Sequence, residues 1–398
     1  MQSNNKKVKI KLIGVGGAGN NAVNQLINDN IDQIEYWIAN TDESDLNNSN
    51  CANKLILTGA TNGWGAGGDQ QIGEDAANSC KKDIESILEG ADLAIIVAGL
   101  GGGTGTGAAP VIASIAKEMK ILTLTIVFMP FKMEGLRKLR VAESGLAKVK
   151  QYSDSYIIIN NSKLEENYGD LPSDQALKIA NQSVKDAIDI IVDIAYNNFV
   201  INVDFNDLRT ILTNGGLTYV GIGKASNVDN VWEKASLNVF NNILYEKSFN
   251  NAKKIISLTK TQNATLMQIN KAQEQISKYL NTDTNSNDTV NVIQGMQYLK
   301  TSNPKDNIFE VNLIATGLNL IEETKENNSE KELLIKTMEK KLEDDLIITN
   351  NQNALFEDDI DNEVQENLNT NHEINNNNID DNKLQSKFPF SFGFKFKK

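Results

Sequence analysis

Residues 97–110 read VAGLGGGTGTGAAP, and the fold turns on what this stretch does. The apolar run Leu93–Ala98 has the character of a strand buried in a parallel sheet. Five glycines follow within seven residues, Gly101, Gly102, Gly103, Gly105 and Gly107, interleaved with Thr104 and Thr106. Ala108, Ala109 and Pro110 then open a helix expected to reach about Met119, with Pro110 in a first turn where its missing N–H costs nothing. Strand, glycine loop and helix N-terminus form a phosphate-binding geometry. Glycine admits close approach of the backbone, free N–H groups face the anion, and the helix dipole favours negative charge. No lysine follows as in GxxxxGK[ST], so this is a different phosphate loop.

A second glycine loop lies at residues 14–23, GVGGAGNNAV, between a strand over 8–13 and a helix to about Asn28. Gly14, Gly16 and Gly19 satisfy GxGxxG, the fingerprint of a Rossmann dinucleotide site. On that motif alone an NAD-binding Rossmann oxidoreductase is one reading. Such an enzyme needs one glycine loop for a shared pyrophosphate, whereas two loops suit the phosphates of a nucleoside triphosphate.

The totals exclude several classes. The 398 residues suffice for two or three domains, and 40% are hydrophobic. Cys51 and Cys80 are the only cysteines and His372 the only histidine, which argues against a disulfide scaffold, a histidine-based nucleophile and a zinc site. No 18-residue apolar run and no apolar leader are present, so a cytoplasmic protein is expected. Net charge is −13, and residues 321–387 alone carry 18 acidic and seven basic side chains. This is no nucleic-acid footprint.

Strands are expected at 34–39, 55–57, 121–131 and 156–159, a helix at Gly73–Leu88, and a long helix at 175–197. Beyond it, a helix at 230–247, strands at 253–260, 289–300 and 307–316, and a helix near 267–279 suggest an α+β unit. Residues 321–387, rich in Asn and acid, are expected to be disordered, apart from a capping-box helix opening at Ser329. The last eleven residues, FPFSFGFKFKK, hold five phenylalanines and three lysines. Directly after the long helix comes INVDFNDLRTIL. A helix cap there accounts for one aspartate, not for Asn202, Asp204 and Asp207 together.

The two glycine loops and the N-x-D-F-x-D pattern at 202–207 resemble the tubulin/FtsZ family. The resemblance covers about 8–320, most specifically in the first half. It implies an α/β fold: a Rossmann-like N-terminal GTPase domain (1–174), a long central helix (175–200), an α+β C-terminal assembly domain (201–320), a disordered acidic linker (321–387) and a terminal peptide (388–398). It implies GTP/GDP as ligand, with Mg²⁺ held mainly by phosphates and water. Gly16, Gly17, Ala18, Gly19, Asn20, Asn21, Gly101, Gly102, Gly103, Thr104, Gly105 and Thr106 would hold phosphates. Asn40 and Asp42 would lie beside the nucleotide, and Gly65, Ala66 and Gly67 near the γ-phosphate. Glu134 matches a nucleotide-contacting glutamate, while Lys138 stands where the family has arginine and loses the planar fork. Asn161 joins these contacts. Leu177 and Asn181 fall where the family places a phenylalanine and an aspartate against guanine, and asparagine offers one acceptor oxygen where aspartate offers two.

Asn202, Asp204 and Asp207 would act on the nucleotide of the next subunit in a head-to-tail homopolymer. The resemblance also implies a division ring at mid-cell, tethered through 388–398 to a membrane-bound division protein; the ending lacks the family's usual acidic-apolar sequence, and its five phenylalanines and three lysines suit direct contact with anionic lipid instead. A degenerate member that polymerises but hydrolyses weakly or less guanine-specifically is a second reading, motivated by Lys138, Leu177 and Asn181.

Overall fold

The computed structural model describes residues 7–28, 31, 33–59, 61–241, 244, 252–280 and 290–318. The expectations for 321–387, the Ser329 helix and the peptide 388–398 lie outside them. In chain order the elements are β1 (Ile10–Val15), α1 (Gly16–Ile27), β2 (Ile34–Asn40), α2 (Glu43–Asn47), β3 (Lys54–Ile56), α3 (Gln70–Ser79), α4 (Lys81–Leu88), β4 (Leu93–Gly99) and α5 (Thr104–Glu118). Next come β5 (Leu122–Met129), a 3₁₀ turn (Lys132–Glu134), α6 (Leu136–Tyr152), β6 (Ser155–Asn160), α7 (Asn161–Tyr168) and α8 (Ser173–Tyr196). The remainder is α9 (Phe205–Leu212), β7 (Gly216–Ser226), α10 (Val231–Asn238), β8 (Lys254–Gln262), α11 (Leu266–Tyr279), β9 (Asn291–Tyr298) and β10 (Ile308–Thr316).

One sheet runs β3-β2-β1-β4-β5-β6-β7-β10-β8-β9. Strands β3 to β7 in this order pair in parallel; β10 is antiparallel to both its neighbours. The fold is thus an α/β half continuing into an α+β half. Alternate residues of the central strands feed opposite faces. Leu12, Ile95 and Val97 pack in one core with α1 and α8; Ile13, Val15, Ile96 and Ala98 pack in another with α3, α4 and α5. Both faces being covered explains the unbroken apolar run of β4.

The structure departs from the sequence reading in four places. The expected Gly73–Leu88 helix is two helices, hinged at Cys80, whose buried thiol accepts from Thr58 N at 3.3 Å. Helix α5 begins at Thr104, inside the glycine run, so Pro110 lies in the helix interior and not in its first turn. The helix expected over 230–247 is confined to Val231–Asn238 within the described residues. Strand β7 was not expected, because Gly221 and Gly223 depress strand propensity. They are there for packing: a Cβ at either would overlap carbonyl oxygens of α10 and the residue that ends it, Ala235 O and Val239 O.

Helix α8, 24 residues and about 36 Å long, runs along the sheet. Near its C-terminal end Tyr196 Oη donates to Val8 O at 2.6 Å, just before β1 begins. The residues after α8 therefore emerge beside the amino ends of the parallel strands. Among the described residues no helix is long and apolar enough to cross a membrane.

Candidate functional site

Strand order changes direction between β1 and β4, and ligands in such sheets bind outside the carboxyl ends of the strands at that point. Both glycine loops lie there, Gly16 following β1 and Gly101–Gly103 following β4. Helices α1 and α5 start from them without a side-chain cap and without an acid in the first turn. Their free N–H groups and dipoles therefore converge on one place.

Two adjoining clefts of about 270 and 450 Å³ open at this point and share Gly17, Gly103 and Thr104. The first also takes in Gly16, Ala18, Gly102, Gly105, Glu134 and Asn161. The second takes in Asn40, Asp42, Gly65, Ala66 and Gly67. A Cβ at Gly102 or Gly67 would meet no protein atom within 4 Å, so at these positions open space faces the backbone. Thr104 Oγ1 lies 2.6 Å from Thr41 Oγ1, tying the glycine loop after β4 to the end of β2. Asn161 Oδ1 is buried in the first cleft without a hydrogen-bond partner, an orphan that a ligand donor would satisfy. Backbone N–H groups, the Thr104 hydroxyl and an orphan amide oxygen suit a phosphorylated, hydrogen-bonding ligand.

The other expected residues have different surroundings. Gly19 faces β4: a Cβ there would overlap Val97 O. Asn20 is buried and meets Asp45 Oδ2 at 3.3 Å, and Asn21 is exposed on α1. Gly101 has φ +100° and donates its N–H to the buried Thr106 Oγ1 at 2.8 Å, shaping the loop from within. Glu134 sits in the 3₁₀ turn, not on the following helix; its Oε2 accepts from Lys138 Nζ at 2.7 Å and its Oε1 from Phe131 N at 2.9 Å. Asn181 donates to Gln25 Oε1 across α8 and α1 at 2.8 Å.

Asn202, Asp204 and Asp207 line neither cleft. They follow α8, beside the amino ends of the strands, whereas both clefts sit at the carboxyl ends. The two aspartates form a reciprocal capping box on α9, so local structure accounts for both and not for one. Asn202 and Asp204 are exposed.

Asp45 and Trp64 are the side chains of the second cleft that escaped the sequence reading. Asp45, on α2, accepts from Asn40 Nδ2 at 2.6 Å and lines the second cleft. Trp64, 88% exposed, stands at the cleft mouth on a loop of positive-φ glycines. The tryptophan within the glycine cluster was the available signal; for Asp45 only its four-residue interval from Thr41 hinted. Among the described residues no lysine or arginine lines either cleft, so there the attraction for an anion rests on the backbone. Beside the first cleft, Lys132 and Lys163 hold the Glu166 carboxylate at a pKa of about 2, and Glu166 in turn raises that of Lys132.

The GTPase domain of the tubulin/FtsZ family matches residues 9–169. The cell division protein FtsZ of Mycoplasmopsis pulmonis is 37% identical over 354 residues, 88% of this chain and 87% of that protein. FtsZ of Aquifex aeolicus is 46% identical over 218 residues, 54% of this chain and 59% of its own length. Among solved structures, an empty FtsZ dimer from M. jannaschii superposes with a TM-score of 0.68 at 31% identity, covering 79% of this chain and 89% of that one.

Proposed function

The chain belongs to the tubulin/FtsZ family of GTPases, and from that premise we propose that it binds GTP across the two clefts, hydrolyses it to GDP and phosphate on assembly, and polymerises head to tail into the filaments of a cell-division ring. The observation that carries this reading is a separation. The phosphate-cradling loops lie at the carboxyl ends of the parallel strands, while Asp204 and Asp207 lie beside their amino ends. A β-strand of six residues already spans about 20 Å, so a subunit's own aspartates do not reach its own nucleotide. A second copy stacked end to end brings them there.

In this reading the uncapped starts of α1 and α5 bind the phosphates through backbone N–H groups, and Asn161 Oδ1 accepts from the nucleoside. Asp204 and Asp207 of the neighbouring subunit orient and polarise the attacking water. The second cleft brings together the oxygens of Asp42, Asp45 and Thr104, hard donors that would suit Mg²⁺ carried in by the phosphates and water. That ion would neutralise charge developing on the phosphates. Residues 388–398 serve as the tether to a membrane-bound partner or anionic lipid at the division site. Nicotinamide oxidoreduction is set aside by the family relationship. The test is phosphate release from GTP over a series of protein concentrations, with light scattering in parallel. A specific activity rising steeply with concentration alongside scattering is expected. A specific activity independent of concentration refutes the shared active site.

A further inference from the structure

The chain has two Asn-Gly pairs, Asn62-Gly63 and Asn214-Gly215, and the fold holds them differently. Both asparagines are exposed and left-handed, with φ +49°. At the second pair, Gly215 is buried and its N–H donates to Leu212 O at 2.9 Å; a Cβ on it would overlap Ser155 Oγ. At the first pair, Gly63 is half-buried and its N–H meets no acceptor among the described residues. Trp64 N donates to Thr61 O at 3.0 Å and Gly63 has φ +81°, so Asn62 and Gly63 are the two centre positions of a type I′ turn.

The backbone nitrogen after an asparagine can reach that side chain's Cγ, and a glycine there has no Cβ to hinder the approach. We propose that Asn62 is a site of spontaneous deamidation, and that the isoaspartate it leaves unfastens the loop at the mouth of the second cleft. The Gly63 nitrogen attacks Asn62 Cγ; the N–Cγ bond forms as Cγ–Nδ2 breaks, and the nitrogen's proton leaves with the amide as ammonia. Water then opens the cyclic imide. Opening at Cγ leaves aspartate; opening at the main-chain carbonyl leaves isoaspartate, whose main chain runs through Cβ and Cγ. Nothing is oxidised or reduced, and water is the only co-reactant. At Asn214 the same rotation must first break the Gly215 bond to Leu212.

The position gives the modification its effect. Glu43 N donates to Gly63 O at 3.0 Å and Gly65 N to Thr41 O at 3.0 Å, so residues 63–65 are clasped to the end of β2 on either side of Asp42. Isoaspartate lengthens the main chain by one atom inside that clasp. It also leaves a carboxylate near Glu43, whose Oε2 would lie 3.2 Å from a Cβ on Gly63. Negative charge then gathers beside a cleft whose attraction for an anion comes from the backbone. Aged protein should lose affinity for GTP, an effect that rests on the clefts being the GTP site.

Full-length protein kept at neutral pH, sampled daily and digested for mass spectrometry tests this. The peptide holding Asn62 should gain the mass of exchanging NH₂ for OH and become a substrate for an isoaspartate methyltransferase. The peptide holding Asn214 should convert about tenfold more slowly, the rate equivalent of opening one buried hydrogen bond. Asn62→Gly keeps a residue suited to positive φ and has no side-chain amide to lose. It should hold its affinity for a fluorescent GTP analogue on ageing, while the wild type loses affinity in step with conversion at Asn62. No conversion at Asn62, or conversion at Asn214 as fast as at Asn62, overturns the inference. Equal loss of affinity in aged wild type and aged Asn62→Gly, or loss in neither, overturns the unfastening of the loop while the GTP site stands. Failure of fresh wild-type protein to bind the analogue overturns the GTP site and leaves the deamidation to be judged on the masses alone.

Discussion

Asp204 and Asp207 cap one another: Asp204 Oδ1 accepts from Asp207 N at 3.2 Å, and Asp207 Oδ2 accepts from Asp204 N at 2.9 Å. Any alanine substitution at either position removes a cap as well as a carboxylate. Asp204→Ala should therefore cost about 1 kcal/mol of stability, and Asp204→Asn a fraction of that, because an amide oxygen still caps. Both should bind GTP and release little phosphate. Denaturant unfolding beside phosphate release separates the two effects. An Asp204→Asn protein hydrolysing at the wild-type rate removes this residue from the mechanism.

Subunit mixing addresses where those carboxylates act. A Cβ at Gly102 points into open cleft space, so Gly102→Leu should fold normally and lose nucleotide affinity. Combined with Asp207→Asn it should regain turnover, since one interface in the mixture pairs an intact nucleotide site with intact aspartates. Additive inactivity across all mixing ratios argues against action in trans.

Not all glycines of the central loop should behave alike. A Cβ at Gly105 or Gly107 would overlap backbone of Gly99 or Gln70, whereas one at Gly102 touches nothing. Gly107→Ala should destabilise by about 1–3 kcal/mol or prevent folding, through overpacking of α3 on α5, and Gly102→Ala should leave the melting temperature unchanged. Thermal unfolding of the two variants measures the contrast.

Glu166 provides a pH expectation. Its carboxylate has a pKa of about 2, below its ordinary value, because Lys132 and Lys163 donate to it. A depressed folded-state pKa gives stability that is present above the unfolded-state value and fades as pH falls towards the folded one. The ion pairs should thus persist through pH 4. Carbon-13 titration of Glu166 should show a midpoint near 2 in the wild type, and Lys132→Met should raise it towards the ordinary carboxylate range.

Trp64 is exposed at the mouth of the second cleft, and the other tryptophans, Trp37 and Trp232, are partly buried. GTP-induced assembly should cover Trp64 and shift its emission to shorter wavelength. Trp64→Phe should abolish that shift. A shift that survives the substitution, or appears in dilute protein that does not scatter light, places the change elsewhere.

The phosphate cradle was legible in the sequence because backbone recognition leaves a compositional mark: glycines, threonines and a following helix within one short window. The parallel α/β order was legible for a similar reason, since buried strands read as unbroken apolar runs. What the window does not contain is the identity of the neighbouring elements. Gly105 and Gly107 look like loop glycines, yet they lie in α5, where Gly107 lets α3 cross closely. Lys138 looks like a free phosphate ligand, yet Glu134 holds it. Asn181 looks like a lone base reader, yet its partner Gln25 lies 156 residues away. The sequence by itself determined the family, the glycine loops and the run of strands, because these depend on local composition and period. Only the tertiary structure decided which glycines face the clefts and which face packing, and that the two aspartates cap one helix end away from the clefts. Such assignments depend on distances between residues remote in the chain, and chain order does not encode them locally.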